Sequence, residues 1–166
     1  VEEIYPIPPN RSDSASLARA LAAREKTMTL ATAEDDVPWA APVYYAYWNS
    51  AFWFFSAPES RHIREALACG RAAAAIYADS SSWRQIKGLQ MSGVVEPAGG
   101  SREMAGAFKA YLDKFSFVGE LFHTGGPPGL DLFLQRFGVR LYYFQPSLVY
   151  YLDNAIRFGF RQEVDL

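Results

Sequence analysis

The sequence predicts a mainly antiparallel α+β fold, a barrel of six to seven strands with helices packed outside it. Three observations predict it. Strand-like segments follow one another at hairpin spacing. Helical segments interrupt the strands instead of alternating with them. No glycine-rich phosphate fingerprint follows a strand, so neither a Rossmann nor a P-loop reading has support.

Each element has a local reason. Residues 1–11 hold three prolines and few core candidates, and read as an extended arm. Ser12-Asp13-Ser14 offers helix caps. Leu17, Ala18, Leu21 and Ala22 then recur at helical spacing to about Glu25. Thr27 to Thr32 alternates and is rich in threonine, which suits a strand. Glu34-Asp35-Asp36-Val37-Pro38 is a turn, Trp39 to Trp48 a second strand, Asn49-Ser50 a turn, and Phe52 to Phe55 a third strand closing the hairpin. Ser60 to Ala68 is a short helix ended by Gly70. Ala72 to Ala78 reads as a strand of small side chains, stopped by Asp79-Ser80-Ser81-Ser82.

In the strand Ile86 to Glu96, Leu89, Met91 and Val95 share one face, and Gly88, Gln90 and Ser92 the other. Lys87 has the parity of Leu89. Ser101 caps a helix whose stripe of Met104, Phe108, Tyr111, Leu112 and Phe115 is core packing. Residues 117–138 read as a long loop with a helical turn near Leu130 to Arg136. Val139 to Leu152 is a strand bent at Pro146, and the tail from Asn154 adds another short strand. No repeat or linker divides the chain, so residues 1–166 are expected to form a single domain.

Composition narrows the function. The net charge is −2 and no basic block occurs, which argues against nucleic acid as a partner. No apolar run approaches the length of a membrane span. The N-terminal stretch is acidic and proline-rich, unlike a signal peptide, so the expected location is cytoplasmic. Cys69 is the only cysteine, which excludes an internal disulfide and a cysteine metal cluster. It ends an apolar helical run and reads as a buried, inert thiol. His62 and His123 lack ligand spacing, so no metal is expected. No G-x-S-x-G turn is present, and Asp35-Asp36 reads as a solvated pair.

The segment Phe52 to His62 carries the most chemistry. An aromatic strand stops at a turn, Ser60 opens a helix, and Arg61 and His62 sit just inside it. Helix N-termini present unpaired N–H groups and suit an anion such as a phosphate. Arg61 adds a fork of donors matched to phosphate oxygens. The other reading is that Ser60 only caps and that Arg61 and His62 lie in solvent. Pro42 to Trp48 carries aromatics on both faces. Its second face is covered either by helices or by a partner subunit or planar ligand. Gln90 points away from the Leu89 face, as a ligand contact or an ordinary solvent-facing residue.

Together these segments resemble the pyridoxamine 5'-phosphate oxidase-like, FMN-binding split β-barrel superfamily, in particular its small bacterial branch. The likeness runs from about Ser12 to the C-terminus and is clearest over residues 27–96. It rests on Thr29-Leu30-Ala31-Thr32, Pro42-Val43-Tyr44-Tyr45, Phe55 to His62, and Gly88 to Glu96. Their order fits the family's ribityl-binding strand, aromatic-hydroxyl pair and Ser-Arg-Lys phosphate clamp. The resemblance implies that Ser56, beside Phe55, bonds the phosphate or ribityl region. It implies that Ser60 and Arg61 hold the phosphate, with His62 in the lysine's place. Pro42, Val43, Tyr44 and Tyr45 would line the ribityl chain and flavin edge. Gln90 would lie near the isoalloxazine polar edge or the dimer surface. A homodimer is implied, with the cofactor between subunits.

Several family features are absent. His62 replaces a lysine, so a clamp there weakens as the imidazole deprotonates. Ala40 and Ala41 occupy the place of the arginine that opens the family's strand motif, and Arg84-Gln85 falls outside the register of its Arg-Gln pair. Arg157 and Arg161 match the C-terminal vitamin-phosphate arginine only loosely. These departures point away from vitamin B6 oxidation and leave FMN binding. The expected function is an FMN-binding oxidoreductase that transfers hydride or electrons to an unknown small molecule, with no catalytic side chain identified. The alternative is a non-catalytic split-barrel protein for FMN, haem or another planar cofactor, a deazaflavin included.

Overall fold

Strand pairing organises the chain. The computed structural model describes residues 6–120 and 129–166. Seven strands run through them: β1 (Thr27–Glu34), β2 (Val37–Trp48), β3 (Ala51–Ser56), β4 (Ala72–Tyr77), β5 (Lys87–Pro97), β6 (Arg140–Asp153) and β7 (Arg161–Glu163). Their order is β3-β2-β1-β4-β5-β6-β7, every pairing is antiparallel, and β3 also pairs with β6. That last pairing closes β1 to β6 into a six-stranded barrel, so the expected antiparallel α+β split barrel is the fold observed. β7 extends the sheet beside the far half of β6.

The hairpins form where the sequence places them. Asp35 and Asp36, then Asn49 and Ser50, all have φ between 50° and 62°. Paired left-handed residues match the twist of two flanking strands, and Asp and Asn tolerate that region best.

β6 is bent at Pro146, as expected, through a bulge. Ser92 pairs with Leu148 and Gly93 with Pro146, leaving Ser147 unpaired. The extra residue switches the inward parity of β6. Tyr142 and Phe144 face the core before it, and Val149 and Tyr151 after it. A Cβ on Gly93 would lie 2.1 Å from the Gln145 carbonyl oxygen, so only glycine fits opposite the bulge.

Five helices surround the barrel: α1 (Arg11–Arg24), α2 (Arg61–Cys69), α3 (Ser101–Lys114), α4 (Phe117–Glu120) and α5 (Leu130–Phe137). α1 begins at the last residue of the expected arm. Its cap is Asn10, whose side chain accepts the Asp13 amide at 2.9 Å, not Ser12 or Asp13. Its buried side is Ser14, Ala15, Ala18, Leu21 and Ala22, whereas Leu17 is exposed. α2 joins the end of β3 to the start of β4, with Ile63 and Ala66 in the core. The cap position of α3 is Gly100, and Ser101 is its first helical residue. The helical turn expected near Leu130 to Arg136 is α5, where Leu130, Phe133 and Phe137 recur at helical spacing, and the loop before it also contains the short α4. Most of its Gly-Pro run lies outside the described residues.

β3 is buried on both faces, which explains its unbroken aromatic run. Phe52 and Phe54 point inward, with Tyr45, Leu30 and Leu89. Trp53 points outward beneath Ala107 of α3. Phe55 also points outward, with ring centroids 4.9 Å from Tyr111 and 4.6 Å from Phe133. Gly106 lets α3 approach, because a Cβ there would stand 2.5 Å from the Trp48 ring. Lys114 ends α3 with its ammonium 4.0 Å from the centre of the Tyr45 ring, and burial lowers its pKa to about 8. Among the described residues, no helix is long and apolar enough to cross a membrane.

Gly93→Ala forces the β5–β6 bulge apart. The expected loss is about 1–3 kcal/mol of folding stability, read as a lower urea midpoint at unchanged slope.

Candidate functional site

The site is built where β3 ends and α2 begins. The turn Ala57-Pro58-Glu59 closes with the Ser60 amide donating to the Ala57 carbonyl at 3.0 Å. Ser60 occupies the cap position of α2, but its hydroxyl makes no capping bond. It stands 3.1 Å from the Ser56 hydroxyl and 3.4 Å from His62 Nε2. Ser56 lies 2.8 Å from the same Nε2. Two hydroxyls and one imidazole nitrogen therefore converge beside the first amides of α2, which have no acceptor within the helix. The reading of Ser60 as only a cap does not describe this geometry.

His62 is less basic than an ordinary histidine. Burial lowers its pKa, and the nearby Glu65 carboxylate only partly opposes this. The expected charged clamp therefore gives up its proton more readily than a free histidine does.

Arg61 is committed elsewhere. Its Nε donates to Glu65 Oε1, and its guanidinium lies over the Trp39 ring, 4.5 Å from the centroid. The Glu65 side chain has no accessible surface. Thr32 of β1 also donates to it, at 2.6 Å. The Thr32 hydrogen bond, then that from Arg61, holds the Glu65 pKa below the ordinary carboxylate value. The Arg61–Glu65 spacing of four residues was a readable ion-pair signal on a helix. Trp39 and Thr32 had none, because they reach α2 only through the curl of β1 and β2.

The remaining expected site residues fall in other places. Val43 and Tyr45 face the barrel interior, where the Tyr45 hydroxyl donates to the Ala22 carbonyl at 2.8 Å. Pro42 and Tyr44 face outward on β2. Gln90 is exposed on the same outer surface, reached along the register Pro42–Thr29–Ala75–Gln90. Three strand spacings separate Pro42 from Gln90, or roughly 14 Å. Phe55 lines an aromatic cavity of about 310 Å³ with Tyr44, Tyr111, Phe117, Phe133 and Phe137. Phe55 and Ser56 are consecutive in β3, so this cavity and the hydroxyl cluster lie on opposite faces of the strand. Arg140, which sequence reasoning passed over, pairs directly with Ser56. Cys69 is exposed, contrary to expectation, because the last residues of α2 turn away from the barrel. Among the described residues no cluster of His, Cys, Asp and Glu could hold a metal ion.

The family model for pyridoxamine 5'-phosphate oxidase matches residues 16–123. No curated protein matches the chain significantly. Solved structures share its fold. The heme-binding protein from Mycobacterium smegmatis is 22% identical with a TM-score of 0.70, over 96% of this chain and 59% of that one. This chain thus spans less than two thirds of that protein's length. An FAD-binding protein from Mesorhizobium loti is 18% identical with a TM-score of 0.61, over 81% and 91% of the two chains. HutZ, the heme storage protein from Vibrio cholerae, is 14% identical with a TM-score of 0.61, over 80% and 89%.

The His62 environment sets a pH dependence. Its folded pKa is depressed, so the unfolded chain binds the proton more tightly. The stability that neutral His62 contributes is complete above its ordinary value near 6.5. It is lost as pH falls through the lower folded value. Urea unfolding at descending pH should show a falling midpoint in the parent and a shallower fall in His62→Gln. Parallel curves would contradict the assignment.

Proposed function

The chain belongs to the pyridoxamine 5'-phosphate oxidase family, and from that premise we propose that it is an FMN-binding flavoprotein with oxidoreductase activity toward a small molecule. The observation that carries the reading is the convergence of Ser56, Ser60 and His62 at the start of α2. The donor set fits a phosphomonoester. Two hydroxyls and an imidazole nitrogen surround helix amides, and hydrogen bonds to an anion are stronger than those between neutral groups.

Bound FMN supplies hydride and electron transfer; the side chains described here bind and orient. Ser56 and Ser60 donate to phosphate oxygens once those replace the hydroxyl–hydroxyl contact. His62 presents Nε2 to the same place, and a bound anion favours its protonated form. Outward-facing Pro42 and Tyr44 offer an apolar surface for the ring system.

A homodimer belongs to this reading. The outer faces of β1, β4 and β5 carry Thr29, Ala31, Ala73, Ala75 and Gln90, mostly small side chains, with Tyr77 exposed at the end of β4. α3 and α5 cover β2 and β3 instead. A second copy packed on that face would bring its own Gln90 near the first copy's site.

A non-catalytic role for haem or another planar ligand is the second reading. Two of the structural neighbours bind or store heme, and the cavity between Phe55 and α5 is lined mainly by aromatic rings, with Val118 and Val139.

Titration with FMN and riboflavin separates the readings. FMN should bind at least about tenfold more tightly, a difference of about 1.4 kcal/mol carried by the phosphate. Equal affinities, or binding of haem but not of flavin, would remove the FMN assignment. Reduction of bound flavin by NAD(P)H and its reoxidation by an acceptor would mark an enzyme, and an unreactive flavin a binding protein.

Light scattering should give twice the chain mass. Ala75→Glu, placing charge on that small-residue face, should give monomers. A monomeric parent would end the dimer proposal.

A further inference from the structure

The rim of the barrel holds three cationic or potentially cationic side chains near the hydroxyl cluster, and they are not equivalent. Arg61 spends its Nε on a buried carboxylate and its face on Trp39. His62 is half-buried, and burial weakens its hold on a proton. Arg140 is exposed at the first position of β6, directly across from Ser56.

Residues paired across antiparallel strands share a face, with Cβ atoms about 4.5–5.5 Å apart. The Arg140 side chain therefore rises on the side of the sheet that carries the Ser56 hydroxyl. The Tyr142 phenol, two residues along on the same face, senses it. Burial raises the Tyr142 pKa, Arg140 lowers it and Glu59 raises it. The guanidinium and the Glu59 carboxylate thus both act on this corner. Among the described residues, no carboxylate stands within ion-pair distance of Arg140.

We infer that Arg140 is the principal counter-charge for a dianionic phosphomonoester held at Ser56, Ser60 and His62, while Arg61 is a positioning residue that fixes α2 through Glu65. This deepens the proposed FMN reading and rests on it. The physical basis is competition for one cation. A guanidinium already bonded to a buried carboxylate gains less from a second anion than an unpaired one does. Glu59 sets a limit from the same rim by repelling the ligand.

The test compares FMN, riboflavin and inorganic phosphate on the same proteins. Arg140→Ala should weaken FMN binding about tenfold or more and leave riboflavin binding unchanged. Arg140→Lys should recover part of the loss. Glu59→Gln should strengthen FMN binding severalfold. Inorganic phosphate should displace FMN from the parent and, if the site recognises phosphate by itself, protect less well in Arg140→Ala. Arg61→Ala should lower the melting temperature with or without FMN, because it leaves Glu65 buried without its cation. FMN affinity unchanged in Arg140→Ala, in a parent that prefers FMN to riboflavin, overturns this inference and leaves the FMN reading standing. A parent that does not prefer FMN overturns both.

Discussion

A buried carboxylate organises this molecule's working end. The Glu65 side chain has no accessible surface and is held by Thr32 from β1 and Arg61 from its own helix. A charge placed there without partners would be strongly unfavourable. Its two donors therefore fix both the depth and the rotation of α2 on the barrel. Rotation matters most, because Ser60 and His62 flank Arg61 in the chain. With Arg61 drawn toward Trp39, the first residues of α2 can gather around Ser56. Stability and the geometry of the hydroxyl cluster thus share one interaction.

Burial is distributed unevenly around the barrel, and this asymmetry separates the surfaces. β3 is covered inside by Phe52 and Phe54 and outside by α3 and α5. The outer faces of β1, β4 and β5 carry alanine, threonine and glutamine instead. The aromatic excess in β2 and β3 is accounted for largely by the molecule's own helices. The small-residue face is where the proposed second copy would pack.

Much of the fold was legible in local patterns. Hairpin turns stood out because Asp-Asp and Asn-Ser suit left-handed backbone. Inward and outward positions in β5 followed simple alternation, with Leu89, Met91 and Val95 buried as read. The misreadings share a cause. Ser60 looked like a cap because its position in the chain was right, but its hydroxyl found neighbours on β3. Cys69 looked buried because its helix was apolar, but α2 touches the barrel mainly through its earlier residues. Val43 and Tyr45 were expected beside Pro42 and Tyr44, and the pleat sends their side chains inward while the other two face out. Within residues 117–138 the helical turn expected near Leu130 is α5, whereas the short α4 looked like loop.

The sequence by itself determined the class of fold, the succession of strands along the chain and the Ser-Arg-His segment, because these depend on side-chain period, turn chemistry and neighbours a few residues apart. Tertiary structure alone decided which charges remain available at the rim. Arg61 meets Glu65 within one helix, but Thr32, Trp39 and Arg140 arrive from strands distant in the chain. Coulombic and hydrogen-bond energies depend on distance in space and on burial, and neither can be read along the chain until the barrel has closed.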